Sequence, residues 1–208
     1  AHSMLPAGLS AGGAAFPAHP SDDILKRTNT AMRRIVVTGM GVVTAISCQV
    51  DDLWQQILAG ASGVHLVRLC DTSDLKVKIG GDIYDWDPGA YIDPKEAKRI
   101  DRFTQFALVA GSDALRNSGL DLSREDSNRC GVVLGSGIGG LCEIEVQMSR
   151  LMTKGPDRVS AFTGPKMMLN AAGSMLSIVY GIRGPNYSIA TACASATNAM
   201  ADALKLIQ

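Results

Sequence analysis

The sequence predicts an α/β fold, because continuously apolar, strand-like runs alternate with segments of helical periodicity. Three such runs lie in "RRIVVTGMGVVT", "RCGVVLGSGIGG" and "NYSIATA". Strands that are apolar throughout are typical of a sheet covered by helices on both faces. A chain of 208 residues that is 46% hydrophobic and 19% charged is long enough for one or two globular domains.

Charge, hydropathy and cysteine usage exclude several classes of protein. Twenty acidic and twenty basic residues cancel, so no global field indicates a nucleic-acid or anionic membrane partner. No apolar run approaches the roughly 20 residues of a transmembrane helix. The five cysteines form no CxxC pair and no zinc-ligand spacing, which predicts no metal site and a reducing, cytoplasmic compartment.

Residues 1–31 differ from the rest, because they are rich in Ala, Gly and Pro and lack sustained periodicity. They have neither the basic start and apolar core of a signal peptide nor the Arg-rich, acid-poor composition of a transit peptide. We interpret them as a disordered extension or a cloning remnant, with Met32 as a candidate natural start. Residues 32–208 are then the folded domain.

The first half of the domain is predicted to contain a strand, a helix, a short strand and a long helix. The apolar run after Arg34 is read as a buried strand that ends at Gly39 and Gly41. "DDLWQQILAG" predicts a helix with an Asp cap, and "KVKIGGDIYDWDPGAYIDP" a short strand followed by an irregular loop. The clearest helix runs from Pro94, a first-turn residue, to a closing glycine at Gly119.

The second half repeats the alternation of strand and helix. "RCGVVLG" predicts a buried strand, and "LCEIEVQMSRLM" a helix. "GPKMMLNAAGSMLSIVYGIRGP" predicts one longer helix that stops at Gly181 and Gly184. "NYSIATA" predicts a third strand, and "CASATNAMADALKLIQ" a helix that opens at Cys193.

The glycine cluster "GSGIGG" fits a dinucleotide-binding pattern, since it follows a strand and precedes a helix. That reading also needs an acidic residue at the end of a second strand about 20 residues later, to hold the ribose. The nearest candidate, Asp157, lies in the loop-like "TKGPDRVS". We therefore favour the alternative, a tight turn at which two backbones pass closely.

Cys193 is a candidate nucleophile because it lies where a predicted strand meets a predicted helix. Unpaired N–H groups and the helix dipole at that end favour a thiolate. The Cys193 N–H would point to where an oxyanion develops during acyl transfer. The alternative is packing, which is the commoner role of a lone cysteine in an alanine-rich helix, and the spacing alone does not decide between them.

Four segments, "VVTGMGVVT", "KRIDRFTQFALVAGSDAL", "GSGIGG" and "GIRGPNYSIATACASA", resemble a known family. The family is that of the β-ketoacyl-[acyl-carrier-protein] synthases, the type II elongating condensing enzymes of fatty-acid synthesis. The resemblance covers Arg33 to Gln208 in register. It implies the thiolase-like fold, a five-layer αβαβα core of two similar halves, of which this chain is the N-terminal half.

The resemblance implies that Cys193 accepts an acyl chain from acyl carrier protein as a thioester. Malonyl-acyl carrier protein then loses carbon dioxide, and the carbanion attacks the thioester to give 3-ketoacyl-acyl carrier protein without a cofactor. The Cys193 N–H would be one of two oxyanion-hole donors. The complete enzyme is expected to be a cytoplasmic homodimer.

The family's two supporting histidines, its lysine and a phenylalanine backbone donor belong to the second half of the fold. The histidines present are His2, His19 and His65, and none matches a catalytic position. His65, in a predicted loop, is read as a surface residue. We therefore expect no condensation by this chain alone, and a bare apolar face that promotes aggregation.

Position within the family also implies substrate contacts. The acyl-pocket candidates are Ile138, Thr163, Gly164 and Met168. Ile138 resembles the gate between cysteine and acyl tunnel, whereas "AFTGP" replaces a common aromatic and valine and leaves the depth of the tunnel open. The candidates for docking an acidic carrier protein are Lys95, Lys98, Arg99 and Arg158. Core packing and a solvated helix face are the respective alternatives.

Two other functions compete with the condensing enzyme. A non-catalytic ketosynthase-like partner subunit would shape chain length, but such subunits typically lack the cysteine. A dinucleotide-dependent oxidoreductase depends on the glycine cluster alone. Labelling of Cys193 by iodoacetamide or cerulenin favours the condensing enzyme over both.

Overall fold

The computed structural model describes residues 33–208, and Ile35–Ile207 form one compact unit. Seven α-helices and four short strands are present in this part of the chain. The helices are α1 Val50–Leu58, α2 Pro94–Ala97, α3 Arg102–Ser118, α4 Leu141–Lys154, α5 Thr163–Met167, α6 Ala171–Tyr180 and α7 Ser195–Ile207. The strands are β1 His65–Leu66, β2 Ile79–Gly80, β3 Val132–Gly135 and β4 Asn186–Ile189.

The centre of the unit is a parallel pair of strands, β3 and β4. Their register runs from Val132 opposite Asn186 to Gly135 opposite Ile189. The connection between them contains α4, α5 and α6, as parallel strands require a crossover. Both α6 and α7 pack on this pair, and α3 packs on α6. The predicted alternation of strand and helix is therefore confirmed in this half of the domain.

The prediction of a buried strand after Arg34 is wrong. No strand is assigned in this segment, and Val36 and Val37 are 59% and 79% exposed. The segment lies against α3, because a Cβ on Gly39 would meet the Ala114 oxygen at 2.1 Å. An extended segment forms a strand only when another strand offers its backbone groups, and the described residues contain no such partner here.

The single helix predicted from Pro94 to Gly119 is two helices, α2 and α3. The chain becomes extended at Asp101, whose Oδ1 accepts from the Phe103 N–H at 3.2 Å and caps α3. Its Oδ2 accepts from the Glu143 N–H at 2.7 Å, in the first turn of α4. Asp101 is buried and joins two helix ends, which is why the helical pattern breaks there. Gly119 closes α3 in a left-handed conformation, as predicted.

Three further boundaries differ from the predictions. The helix expected from "GPKMM" onward is split into α5 and α6, because Met168 is extended. Helix α1 begins after Gln49 without a side-chain cap, so the predicted Asp cap is wrong. His65 lies in β1, opposite Gly80 in an antiparallel pair with β2, and not in a loop.

Several large apolar side chains are exposed on the surface of the unit. Trp54 and Leu58 of α1 are 58% and 63% exposed, and Leu206 and Ile207 of α7 are also exposed. The buried hydrophobic residues are few and small, with Val109 the largest of them. Among residues 33–208, no helix has the length and hydropathy needed to cross a membrane.

Candidate active site

The candidate nucleophile lies on a turn between β4 and α7. Helix α7 begins at Ser195, so the prediction that it opens at Cys193 is wrong by two residues. Cys193 is exposed and free, and the preceding residue, Ala192, has a φ of 49°. A left-handed conformation costs a non-glycine residue about 1–2 kcal/mol. The turn therefore stores strain immediately before the thiol, and its surroundings must hold it in place.

Two side chains from α7 hold the turn. The Ser195 hydroxyl accepts from the Thr191 N–H at 2.9 Å and donates to the Ala192 carbonyl at 2.6 Å. Asn198 Nδ2 donates to the Thr191 hydroxyl at 2.7 Å. Ser195 is only 3% exposed, which limits the access of water to its hydroxyl. Neither residue was predicted from the sequence, although their spacing of two and five residues from Cys193 places both on the helix that follows it.

Replacing Ser195 with alanine removes both hydroxyl bonds across the strained turn. We expect Ser195→Ala to lower the free energy of unfolding by about 0.5–1.5 kcal/mol, because two part-buried hydrogen bonds are lost while the Ala192 carbonyl still accepts from the backbone N–H of residue 195. Cys193 alkylation should slow as the turn relaxes. Chemical denaturation and peptide-resolved mass spectrometry measure the two effects. Thr197→Ala, an exposed position on the same helix, is the control and should change neither.

The glycine-rich segment "GSGIGG" lies between the Cys193 turn and α5. A Cβ on Gly137 would be 3.9 Å from the Ala192 oxygen, so the segment reaches the turn. Gly139 has a φ of 85°, and a Cβ there would be 2.8 Å from the Met167 oxygen. The interpretation of this cluster as a close backbone approach is therefore supported, because the segment approaches the backbone of the turn on one side and the backbone of α5 on the other.

The acyl-pocket candidates lie on the glycine-rich segment and on α5 or directly after it. Ile138, within the glycine-rich segment, is 63% exposed, and Met168, after α5, is 48% exposed. Thr163 begins α5 and is half-buried, and Gly164 is exposed. Phe162, which precedes α5, is 58% exposed. Both elements therefore carry exposed apolar side chains, and the role of these residues as walls of an acyl pocket stays a prediction.

The docking candidates occupy two separate elements. Lys95, Lys98 and Arg99 lie on α2 and directly after it, and all are exposed. Arg99 pairs with Glu96 at 2.9 Å, so part of its charge is already compensated. Trp86 donates to Gln105, and Gln105 donates to the Ala97 carbonyl at 3.0 Å, which fixes α2 against α3.

Arg158 belongs to a second basic group. It lines an open depression together with Arg150 and Lys154, both from α4. Arg150 and Lys154 were not predicted from the sequence as part of a basic group. The signal that could have identified them is the spacing of four residues that separates each of them from the next basic residue of the group.

Two other titratable residues singled out in the sequence, His65 and Asp157, lie within the described part of the chain. His65 lies 3.3 Å from Asp82 and packs edge-on against Tyr84, while His2 and His19 fall outside the described residues. No cluster of three or more His, Cys, Asp or Glu residues that could hold a metal occurs between residues 33 and 208. Asp157 lies in a short 3₁₀ helix and not at a strand end, which removes the ribose ligand that a dinucleotide site needs.

Comparison with known proteins places the chain in a family. The family model described as beta-ketoacyl synthase, N-terminal domain, matches residues 32–208. The 3-oxoacyl-[acyl-carrier-protein] synthase 2 of Synechocystis sp. is 39% identical over 180 residues, which are 86% of this chain and 43% of that protein. The enzyme of the same name from Staphylococcus aureus is 39% identical over 176 residues, 85% of this chain and 42% of that protein. The chain thus spans less than half the length of these curated relatives.

Solved structures agree on the fold. A type II PKS acyl-carrier protein in complex with its ketosynthase bound to the hexaketide matches with a TM-score of 0.70 and 24% identity, over 84% of this chain and 46% of that one. A beta-ketoacyl synthase from Burkholderia phymatum matches with a TM-score of 0.67 and 23% identity, over 85% and 44%. At this identity the likeness shows the fold, which confirms the thiolase-like α/β prediction. The chain belongs to the β-ketoacyl synthase family, and residues 32–208 correspond to its N-terminal domain.

Proposed function

We propose that the protein is a 3-ketoacyl-acyl carrier protein synthase that condenses an acyl thioester with malonyl-acyl carrier protein during fatty-acid elongation. The observation that carries this proposal is an exposed cysteine on a strained, braced turn beside exposed apolar residues. A nucleophile for acyl transfer needs access to the thioester, and its acyl chain needs apolar surface close by. Relatives named 3-oxoacyl-[acyl-carrier-protein] synthase 2 support the assignment.

In the proposed reaction, the Cys193 thiolate attacks the carbonyl carbon of the acyl thioester, and the carrier's sulfur leaves as a thiolate that takes a proton from water. The malonyl group then breaks its bond to the carboxylate and releases carbon dioxide. The carbanion that forms attacks the acyl carbon, and the Cys193 thiolate leaves as the new carbon–carbon bond forms. The Cys193 N–H is proposed as an oxyanion donor, with the Thr191–Ser195 bonds keeping the turn in the conformation that presents it.

The half-reaction tests this function directly. Full-length protein is mixed with acyl-acyl carrier protein alone, and peptides are analysed by mass spectrometry. We expect the mass of the acyl group on Cys193 and its disappearance as 3-ketoacyl product when malonyl-acyl carrier protein is added. An acyl group on another residue, or none with product still formed, contradicts the proposal. Retention on an immobilised nicotinamide column would instead favour the oxidoreductase.

Carrier docking is proposed at the exposed basic residues Lys95, Lys98, Arg99 and Arg158. A carrier protein is acidic, so local basic groups attract it although the net charge of the chain is zero. Arg150 and Lys154 are added to the proposal, since they share one depression with Arg158. A homodimer and a cytoplasmic location are proposed for the complete protein on the basis of the family assignment.

Charge reversal at α2 tests the docking proposal. We expect Lys98→Glu combined with Arg99→Glu to raise KM for acyl-acyl carrier protein by about tenfold with little change in kcat, because attraction is lost before chemistry begins. Steady-state kinetics at low salt measures this change. Lys205→Glu, which reverses an exposed charge on α7, is the control. An unchanged KM in the double variant would count against docking at α2.

A further inference from the structure

A buried polar network connects α5 to α4. Lys166 Nζ lies 3.2 Å from Glu143 Oε2, and the two side chains are only 16% and 9% exposed. Glu143 Oε1 accepts from Gln147 Nε2 at 2.7 Å, and Gln147 Oε1 accepts from the Ser160 N–H at 3.0 Å. We call Glu143, Gln147 and Lys166 the α5 anchor.

The α5 anchor holds α5 at both of its ends. At the start, the Ser160 carbonyl accepts from the Thr163 N–H and from its hydroxyl, so the bond from Gln147 to Ser160 fixes the first turn. Near the other end, Lys166 binds Glu143, and the Met167 carbonyl accepts from the Gly140 N–H at 3.1 Å. A helix of five residues has too few internal hydrogen bonds to keep its position by itself.

Stability alone does not account for a pair of buried charges at this place. The cost of removing both charges from water offsets most of their attraction, and an apolar pair of similar volume would stabilise as well or better. An ion pair with hydrogen-bonded partners differs from an apolar contact because it fixes a direction and a distance. The element that it fixes is α5, which carries Thr163 and Gly164 and leads into Met168.

We propose that Glu143, Gln147 and Lys166 are positioning residues that determine which acyl chain lengths the Cys193 site accepts. They hold α5 at a fixed distance from the glycine-rich segment, and so set the space available to a chain that leaves Cys193 past Ile138. This inference rests on the proposed function, because it takes α5 and Ile138 as the walls of the acyl pocket. Glu143 and Lys166 act through α5 and contact no reacting atom.

The test compares Lys166→Met in the full-length protein with wild type. Alkyl methanethiosulfonates transfer their alkylthio group to a thiolate and release methanesulfinate, so they report on the space next to Cys193 without any condensation. We expect the ratio of long-tail to short-tail labelling rates at Cys193 to change by about tenfold. The ratio of kcat/KM for long and short acyl-carrier substrates should change in the same direction.

A second variant covers the case in which Lys166→Met leaves Glu143 as a buried, unpaired charge and does not fold. Glu143→Gln combined with Lys166→Met removes both charges of the ion pair and so leaves neither of them unpaired, and we expect it to fold and to change the labelling ratio as the single variant does. Lys205→Met is the matched control, because Lys205 pairs with Asp202 at 3.6 Å on the surface of α7 and is 75% exposed. Its labelling ratio should equal that of wild type.

Equal slowing of all tail lengths in the folded variants, or an unchanged ratio, would overturn the positioning role. The two readouts also separate this inference from the proposed function. Absence of 3-ketoacyl product from wild type contradicts the condensing activity, while the tail-length ratio still decides whether the α5 anchor shapes the surroundings of Cys193.

Discussion

Cys193→Ala in the full-length protein is expected to abolish the acyl-enzyme and to lower condensation by at least about 10³-fold. The thiol is the only group of the described turn that can form the thioester, and alanine preserves the small volume of the position. The strained backbone at Ala192 and the Ser195 bonds remain, so the fold should be retained. Intact-mass analysis after incubation with acyl-acyl carrier protein and assay of 3-ketoacyl product measure the two losses.

Cys142 supplies the matched control for this experiment. Cys142 is also exposed as a residue. Partial burial of its thiol nevertheless raises the pKa of the thiol, and the negative charge of the nearby Asp101 carboxylate raises this pKa further. Because a raised pKa delays formation of the thiolate, alkylation of Cys142 should be slow at neutral pH and should accelerate as the pH rises. Cys142→Ala should leave condensation within about twofold of wild type. Acylation found on Cys142, or product formed by Cys193→Ala, would refute the role of Cys193.

Gly135→Ala is expected to have the largest effect on stability. A Cβ on Gly135, the last residue of β3, would lie 2.3 Å from the Ser195 carbonyl carbon and oxygen and 2.5 Å from the Ala196 nitrogen. These are backbone atoms, so no side-chain rotation relieves the overlap and α7 must move away from β3. We expect a loss of about 3 kcal/mol or more in the free energy of unfolding, measured by chemical denaturation.

The movement of α7 should also change the conformation around Cys193, because Ser195 of α7 holds the Cys193 turn through its hydrogen bonds. Peptide-resolved labelling of Cys193 should therefore slow in Gly135→Ala even where the protein is folded. Gly137→Ala is the control for stability, since a Cβ there would meet only the Ala192 oxygen at an ordinary 3.9 Å. If Gly135→Ala is as stable as Gly137→Ala, then β3 and α7 are not held at this distance in solution.

Local patterns in the sequence were sufficient to predict most residues of β3, β4 and the helices. The apolar run before Gly135 and the alanine-rich segment after Cys193 each specify one element, because burial of a strand or a helix face needs only the residues of that element. The strand after Arg34 failed for the complementary reason. Its residues have strand character, but a strand needs a partner, which residues 33–208 do not provide at that position.

The helix breaks could not be predicted from periodicity. Asp101 ends the helical pattern because its carboxylate caps α3 and also binds the Glu143 N–H, 42 residues further along the chain. The apolar stripe of "PKEAKRIDRFTQFALVAG" continues across that point without interruption. A capping contact over such a separation depends on where α4 lies, and no window of local sequence contains that information.

By itself, the sequence determined the α/β class, the family resemblance and the choice of Cys193, because residue types and their order carry these properties. Only the tertiary structure decided how Cys193 is presented. The left-handed Ala192, the Ser195 brace and the Glu143–Lys166 ion pair each join groups that meet after the elements have packed. The chemical reactivity of a side chain follows from its residue type, which the sequence states directly. Its strain, burial and ion pairing depend on residues that are distant in the sequence and that come together only in the folded protein.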